Sequence, residues 1–159
     1  MNRSLRSTLI FFVGMVALWY WLISRPAGPD PIVDHRLQPA LNEWKAAMDS
    51  MGIPIKKDLN RLRSITVSSE AESEWVGTAN RLDNTIKISE KVFQRGPYAV
   101  KAALYHELGH YVFNLNHTEN FGIMYYKSYD EEVYQSNWEE MTSYYYSSCK
   151  SEYGKFKFN

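Results

Sequence analysis

The chain carries a single cysteine, Cys149, in 159 residues, which excludes an intrachain disulfide and any zinc site built on thiolates. It also lacks an excess of charge of either sign. Lys plus Arg and Asp plus Glu both number 18, so the net charge is zero, an overall basic surface is excluded, and no nucleic-acid partner is indicated. Histidine is scarce, with four in the chain, yet His106, His110 and His117 fall within a dozen residues of one another. Aromatic residues are plentiful: 12 tyrosines and five tryptophans favour a well-filled core or a peptide-binding groove over a disordered chain. The length suits one folded domain.

One run, residues 9–23 (LIFFVGMVALWYWLI), is free of charge; Arg3 and Arg6 precede it, and Arg25 and Pro26 follow. A basic segment before an apolar one addresses a chain to a membrane. No small-x-small cleavage site follows, and Pro26, Pro29 and Pro31 obstruct a protease. Trp19, Tyr20 and Trp21 sit where an aromatic belt would hold a retained helix. Residues 1–24 are therefore read as an uncleaved transmembrane anchor. A cleaved signal peptide, giving a secreted protein, is the alternative, because the run is short of the roughly 20 residues that span a bilayer. The arginine bias puts the amino terminus in the cytoplasm and the rest of the chain outside it. Residues 25–34 are expected to form a proline-rich spacer, and residues 35–159 the folded domain.

Within the domain, Leu37, Leu41, Trp44, Met48 and Met51 recur at helical spacing, and Gly52 and Pro54 stop the pattern, so a helix is expected near residues 36–51. His35 just before it reads as a surface or capping residue. Residues 63–69, 75–78 and 85–89 are β-branched or alternating and predict a small mixed sheet, with a hairpin turn at Asn80–Asn84. Ile86 and Ile88 should face the core, and the strand at 85–89, last before the histidine helix, is expected to be the one that pairs with an extended peptide. Gly96-Pro97 opens a second helix with an apolar stripe at Val100, Leu104, Leu108, Tyr111 and Leu115, leaving His106 and His110 on an adjacent face. Asn114 to Asn120 (NLNHTEN) should end it and deliver His117.

His106-Glu107-Leu108-Gly109-His110 is the H-E-x-x-H pattern. Residues four apart on a helix lie on one face, so two imidazoles can converge on one ion. Glu107 points about 100° away and is placed to contact a metal-bound water as general base. Gly109 puts no side chain beside the histidines, and a methionine, Met124, follows in a turn. Together these predict a Zn2+ site held by His106, His110 and His117.

The string HELGHYVFNLNH followed by GIMYY resembles the signature of the metzincin zinc peptidases, H-E-x-x-H-x-x-G-x-x-H and a methionine-containing turn. Phe113 stands where that family has its glycine, and Asn116 where it has its third histidine, with His117 one place later. The fourteen residues from His110 to Met124 match the separation in the matrixin branch. Small phage and bacterial proteins with HELGH and a histidine seven residues on look similar too. The resemblance implies an α+β, zincin-like minimal domain with a small mixed sheet, an active-site helix and a C-terminal helix, and the apolar run places it behind an N-terminal transmembrane helix. It implies a zinc metalloendopeptidase acting on a peptide or protein substrate, with Met124 as a hydrophobic floor under the metal. Tyr126 takes the place of the tyrosine that steadies the oxyanion in the astacin and serralysin branches.

Two alternatives stay open at this level. Ser136 and Glu139 form a capping-box pattern ahead of a helix expected at residues 137–149, and Glu140 on that helix is an alternative third ligand, as in gluzincins. The other is a zinc-stabilised binding module without turnover, which would have no need of Glu107.

Overall fold

A computed structural model describes residues 30–69 and 76–157. Leu37, Leu41, Trp44 and Met48 are fully buried and form the packing stripe of α1 (Gln38–Ser50), with Pro39 in its first turn. The helix ends where Gly52 adopts φ +68°, a left-handed conformation that costs glycine nothing, and the Ile53 N–H returns to the Met48 carbonyl at 3.0 Å. A short α2 (Lys56–Leu59) leads into the sheet.

The sheet has four strands, β1 (Ile32–Val33), β2 (Ser64–Ser68), β3 (Gly77–Asn80) and β4 (Thr85–Ser89), in the order β1-β2-β4-β3. β1, β2 and β4 are parallel, while β3 runs antiparallel to β4. Ile65 pairs with Ile86, and both are buried together with Ile88, so alternation places the apolar side chains on the helix-covered face. The hairpin turn is held by Asn80, whose Oδ1 accepts from the N–H groups of Leu82 (2.9 Å) and Asp83 (3.1 Å).

Three expectations are corrected here. β4 lies between β2 and β3 with both edges paired, so the outer edge belongs to β3 and not to the strand at 85–89. Ile32–Val33, inside the segment expected as a spacer, is a sheet strand, so the fold begins before residue 35; a two-residue strand has no periodicity to read. The C-terminal helix, α5 (Glu131–Lys157), starts well before residue 137. Ser136 lies inside it, and its hydroxyl donates to the Glu132 carbonyl at 2.7 Å instead of capping. The anchor expected at residues 1–24 lies outside the described residues, as does Trp75. No helix among the described residues is long and apolar enough to cross a membrane.

After a short α3 (Glu90–Phe93), the central element is α4 (Pro97–Phe113). It is buried nearly all round, against the sheet, α1 and α5. Its amino end is capped from outside the helix: the Glu131 carboxylate accepts from the N–H groups of Tyr98 (3.0 Å) and Ala99 (2.8 Å). α5 packs on α4 through Met141, Tyr145 and Cys149, four residues apart and fully or almost fully buried. Trp44 Nε1 donates to the Tyr145 hydroxyl (3.0 Å), which donates to the Tyr105 carbonyl (2.7 Å), joining α1, α5 and α4 at one point.

Candidate metal centre

α4 ends at Asn114, which adopts the left-handed conformation at φ +55°, a role asparagine tolerates better than most side chains. The Leu115 N–H closes back onto the Gly109 carbonyl at 3.1 Å, and the chain reverses so that residues 115–125 lie across the histidine face. Arg81 of the hairpin turn fixes this reversal, donating to the Tyr111 carbonyl (3.1 Å) and to Asn114 Oδ1 (2.5 Å). The Thr118 N–H donates to the Met124 carbonyl at 2.9 Å, which ties the methionine turn to the segment carrying His117.

The consequence is a close convergence of three imidazoles. His106 Nε2 lies 3.0 Å from His110 Nε2 and 3.1 Å from His117 Nε2, and the remaining pair is 3.0 Å apart. The outer nitrogens decide the tautomers. His106 Nδ1 faces the Ile123 carbonyl at 2.7 Å and His110 Nδ1 faces the Leu115 carbonyl at 2.6 Å. A carbonyl can only accept, so each Nδ1 carries the proton and each Nε2 presents a bare lone pair to the centre. The His106 and His110 lone pairs cannot bond each other, and a cation between the three rings fits the arrangement. Tetrahedral zinc with bonds of about 2.0–2.1 Å would hold its ligand nitrogens about 3.3 Å apart, within a few tenths of an ångström of the separations here. The three histidines form a group that could hold a metal ion, and it is the one such grouping of His, Cys, Asp or Glu among the described residues.

Burial suits His106 and His110 to that task. Desolvation lowers the His106 pKa to about 4, and it lowers that of His110 as well, which favours the neutral ring in both. Beneath them, Gly109 lets Met124 approach: a Cβ there would meet Met124 Sδ at 2.8 Å and the Tyr145 ring at 3.1 Å. Met124 is buried.

Glu107 turns from the histidine triangle toward β3. It is almost wholly buried, and desolvation raises its pKa to about 7, opposed by a hydrogen bond from the Ala79 N–H. Its seat depends on Gly77, where a Cβ would lie 2.9 Å from Glu107 Cγ and 3.0 Å from Oε1. Glu107 and the three histidines line one open cleft of about 740 Å³, bounded by residues 76–79 of the sheet edge and by Tyr125 and Tyr126. Tyr126 is exposed, and its hydroxyl is engaged with that of Tyr125.

The structure thus brings His106, His110, His117, Glu107, Met124 and Tyr126 to one place. Glu140 does not join them; it is exposed on α5, next to Met141 on the face turned from α4. His35 is exposed and remote from the cluster. Sequence reading did not find Gly77, Ala79 or Arg81, or the carbonyls of Leu115 and Ile123. Backbone acceptors leave no mark in a sequence, and Gly77 reads as an ordinary strand glycine. In comparisons with protein-family models, with curated proteins and with solved structures, none matches this chain.

Proposed function

We propose that this chain is a zinc-dependent metallopeptidase in which His106, His110 and His117 hold the ion and Glu107 is the general base. The observation that carries the reading is the convergence of three imidazole Nε2 atoms, 3.0–3.1 Å apart, beside a buried carboxyl in the same open cleft. A purely structural site has no use for that carboxyl. An all-imidazole donor set suits zinc better than the oxygen-seeking cations. Bound zinc would supply Lewis acidity, acidifying water and polarising a carbonyl.

The chain's own residues supply the proton handling and the positioning. Glu107, a buried carboxyl steadied by the Ala79 N–H, is placed to take a proton from the attacking water and return it to the leaving amine. The outer edge of β3 borders the cleft, and among the described residues no strand pairs with it, which suits the addition of an extended peptide. Tyr126 stands on the rim, and turning its hydroxyl from Tyr125 toward the histidines would let it steady an oxyanion.

One feature of the turn supports His117 as third ligand. In the pattern that the chain resembles, a glycine precedes the third histidine by three residues. Here the residue three before His117 is Asn114, the left-handed residue that ends α4. The helix is one residue longer, and turn and histidine have moved together.

Metal analysis and cleavage of a peptide library test the reading. Glu107→Gln should keep zinc and lose cleavage by a factor of about 10²–10⁴, whereas His117→Ala should lose zinc. Undiminished cleavage by Glu107→Gln ends the proposed mechanism; zinc without any cleavage reduces the site to a binding module. The apolar run at residues 9–23, with arginines on both sides, supports an activity tethered at the outer face of a membrane. Deleting residues 1–24 should then release the protein from the membrane fraction, and unchanged fractionation would rule out the tether.

A further inference from the structure

From the histidines the cleft extends along α4 toward its amino end, over Ala102 and Ala103, whose methyl groups leave room for a substrate side chain. At that end stand Arg95, Lys127, Ser128 and Tyr134. Arg95 is exposed and donates to the Ser128 hydroxyl, and Lys127 is exposed with its Nζ 5.3 Å from the centre of the Tyr126 ring. Neither cation is within ion-pair distance of a carboxylate among the described residues. Glu131, which lies against Gly96, has both oxygens engaged by the Tyr98 and Ala99 N–H groups. Among the described residues Glu107 is the only carboxylate lining the cleft, and it lies at the sheet side. This end therefore combines two cations that have no anionic partner among the described residues and a space floored by small side chains.

We propose that it is an anion-selective subsite, where Arg95 and Lys127 receive the carboxylate of an acidic side chain on the substrate peptide. The inference rests on the peptidase reading and names its substrate class. A guanidinium fork and an ammonium converging on one carboxylate give charge-assisted hydrogen bonds, stronger than neutral ones and partly sheltered by the cleft. A lysine or arginine at the same substrate position would meet like charge and be rejected.

The test uses three peptide hydroxamates on the zinc-loaded protein, with binding measured by calorimetry. One carries a propionate side chain and an amidated end, one a propionamide side chain and an amidated end, and one a propionamide side chain and a free C-terminal carboxylate. The propionate probe should bind about ten-fold tighter than the neutral one, and Arg95→Gln with Lys127→Gln should bring that ratio to about one. Arg95→Lys with Lys127→Arg, which keeps both charges, should retain most of the preference. Equal binding of the first two probes, or a ratio unmoved in the glutamine variant, overturns the proposal. Tightest binding of the free-carboxylate probe overturns the side-chain assignment. Peptide-library cleavage on the same preparations separates the two readings: anion preference without cleavage removes the peptidase and keeps the subsite, and cleavage without anion preference does the reverse.

Discussion

Gly77 and Glu107 form the most consequential residue pair in the molecule, because the glycine makes the carboxyl's position possible. A methyl group at residue 77 would press on Glu107 Cγ at 2.9 Å and on Ile88 Cδ1 at 3.1 Å, and Ile88 is locked in the core. Glu107 would yield. Under the proposed peptidase reading, Gly77→Ala should therefore lower kcat by about 10- to 100-fold through misplacement of Glu107 while leaving zinc content intact, and equal loss of both would show that the glycine serves the whole site. Burial of Glu107 also has a signature in the metal-free protein. Its folded pKa of about 7 lies above the ordinary 4.5, so between these values the folded state binds the proton more tightly, and stability falls as pH rises. His106 has the opposite sign. Lowered from 6.5 to about 4, it makes the unfolded chain the better proton binder in that window, so stability rises with pH, and His110 adds in the same direction. Glu107→Gln removes the opposing contribution. The metal-free variant should gain stability between pH 5 and 6.5 more steeply than wild type, by up to about 1.4 kcal/mol per pH unit. Urea unfolding at the two pH values measures it, and parallel slopes would contradict the raised pKa.

At the scale of elements, the joint between α4 and the His117 loop sets the site, and Asn114 is its hinge. The left-handed conformation costs an alanine about 1–2 kcal/mol and glycine nothing. Asn114→Gly should keep zinc affinity close to wild type, losing only the Arg81 contact. Asn114→Ala should be less stable by about that 1–2 kcal/mol and should bind zinc more weakly, and if the two variants behave alike in thermal unfolding and zinc titration, the turn is not what places His117. This joint also shows what the sequence discloses and what it hides. The histidine helix, its buried stripe and the turn-forming run at Asn114 were legible because each rests on local periodicity or local turn chemistry. The α1 stripe and the Asn80–Asn84 hairpin were legible for the same reason. Strand order was not. Nothing local in Thr85–Ser89 says that β2 and β3 flank it, so the sheet edge beside the cleft was assigned to the wrong strand. The start of α5 was misjudged because Ser136 and Glu139 have capping spacing inside a helix that continues through them. Its real beginning is marked by Glu131, which serves the amino end of α4, a contact spanning more than thirty residues of sequence.

For the molecule as a whole, the site is a clasp between two parts of unequal burial. His106 sits on the core helix and is buried, whereas His117 lies on an exposed stretch, residues 116–121, that leaves the core after Leu115 and rejoins it at Ile123 and Met124. In the metal-free protein the loop is fastened by the two Nδ1 contacts, the Thr118–Met124 bond and packing at Ile123 and Met124. A cation among the three Nε2 atoms adds a direct link from His117, in the exposed stretch, to the buried helix. Because it binds the folded chain and not the scattered histidines of the unfolded one, it stabilises by mass action, by about 4 kcal/mol at a thousand times its dissociation constant. Zinc should therefore raise the thermal midpoint and also slow chymotryptic cleavage at Phe121, Tyr125 and Tyr126, the aromatic residues beside the clasp. His117→Ala should abolish the protection of the loop while leaving the metal-free midpoint near that of wild type, since an exposed histidine contributes little to the core. Equal loop protection by zinc in wild type and His117→Ala would place the ion elsewhere and remove His117 from the ligand set.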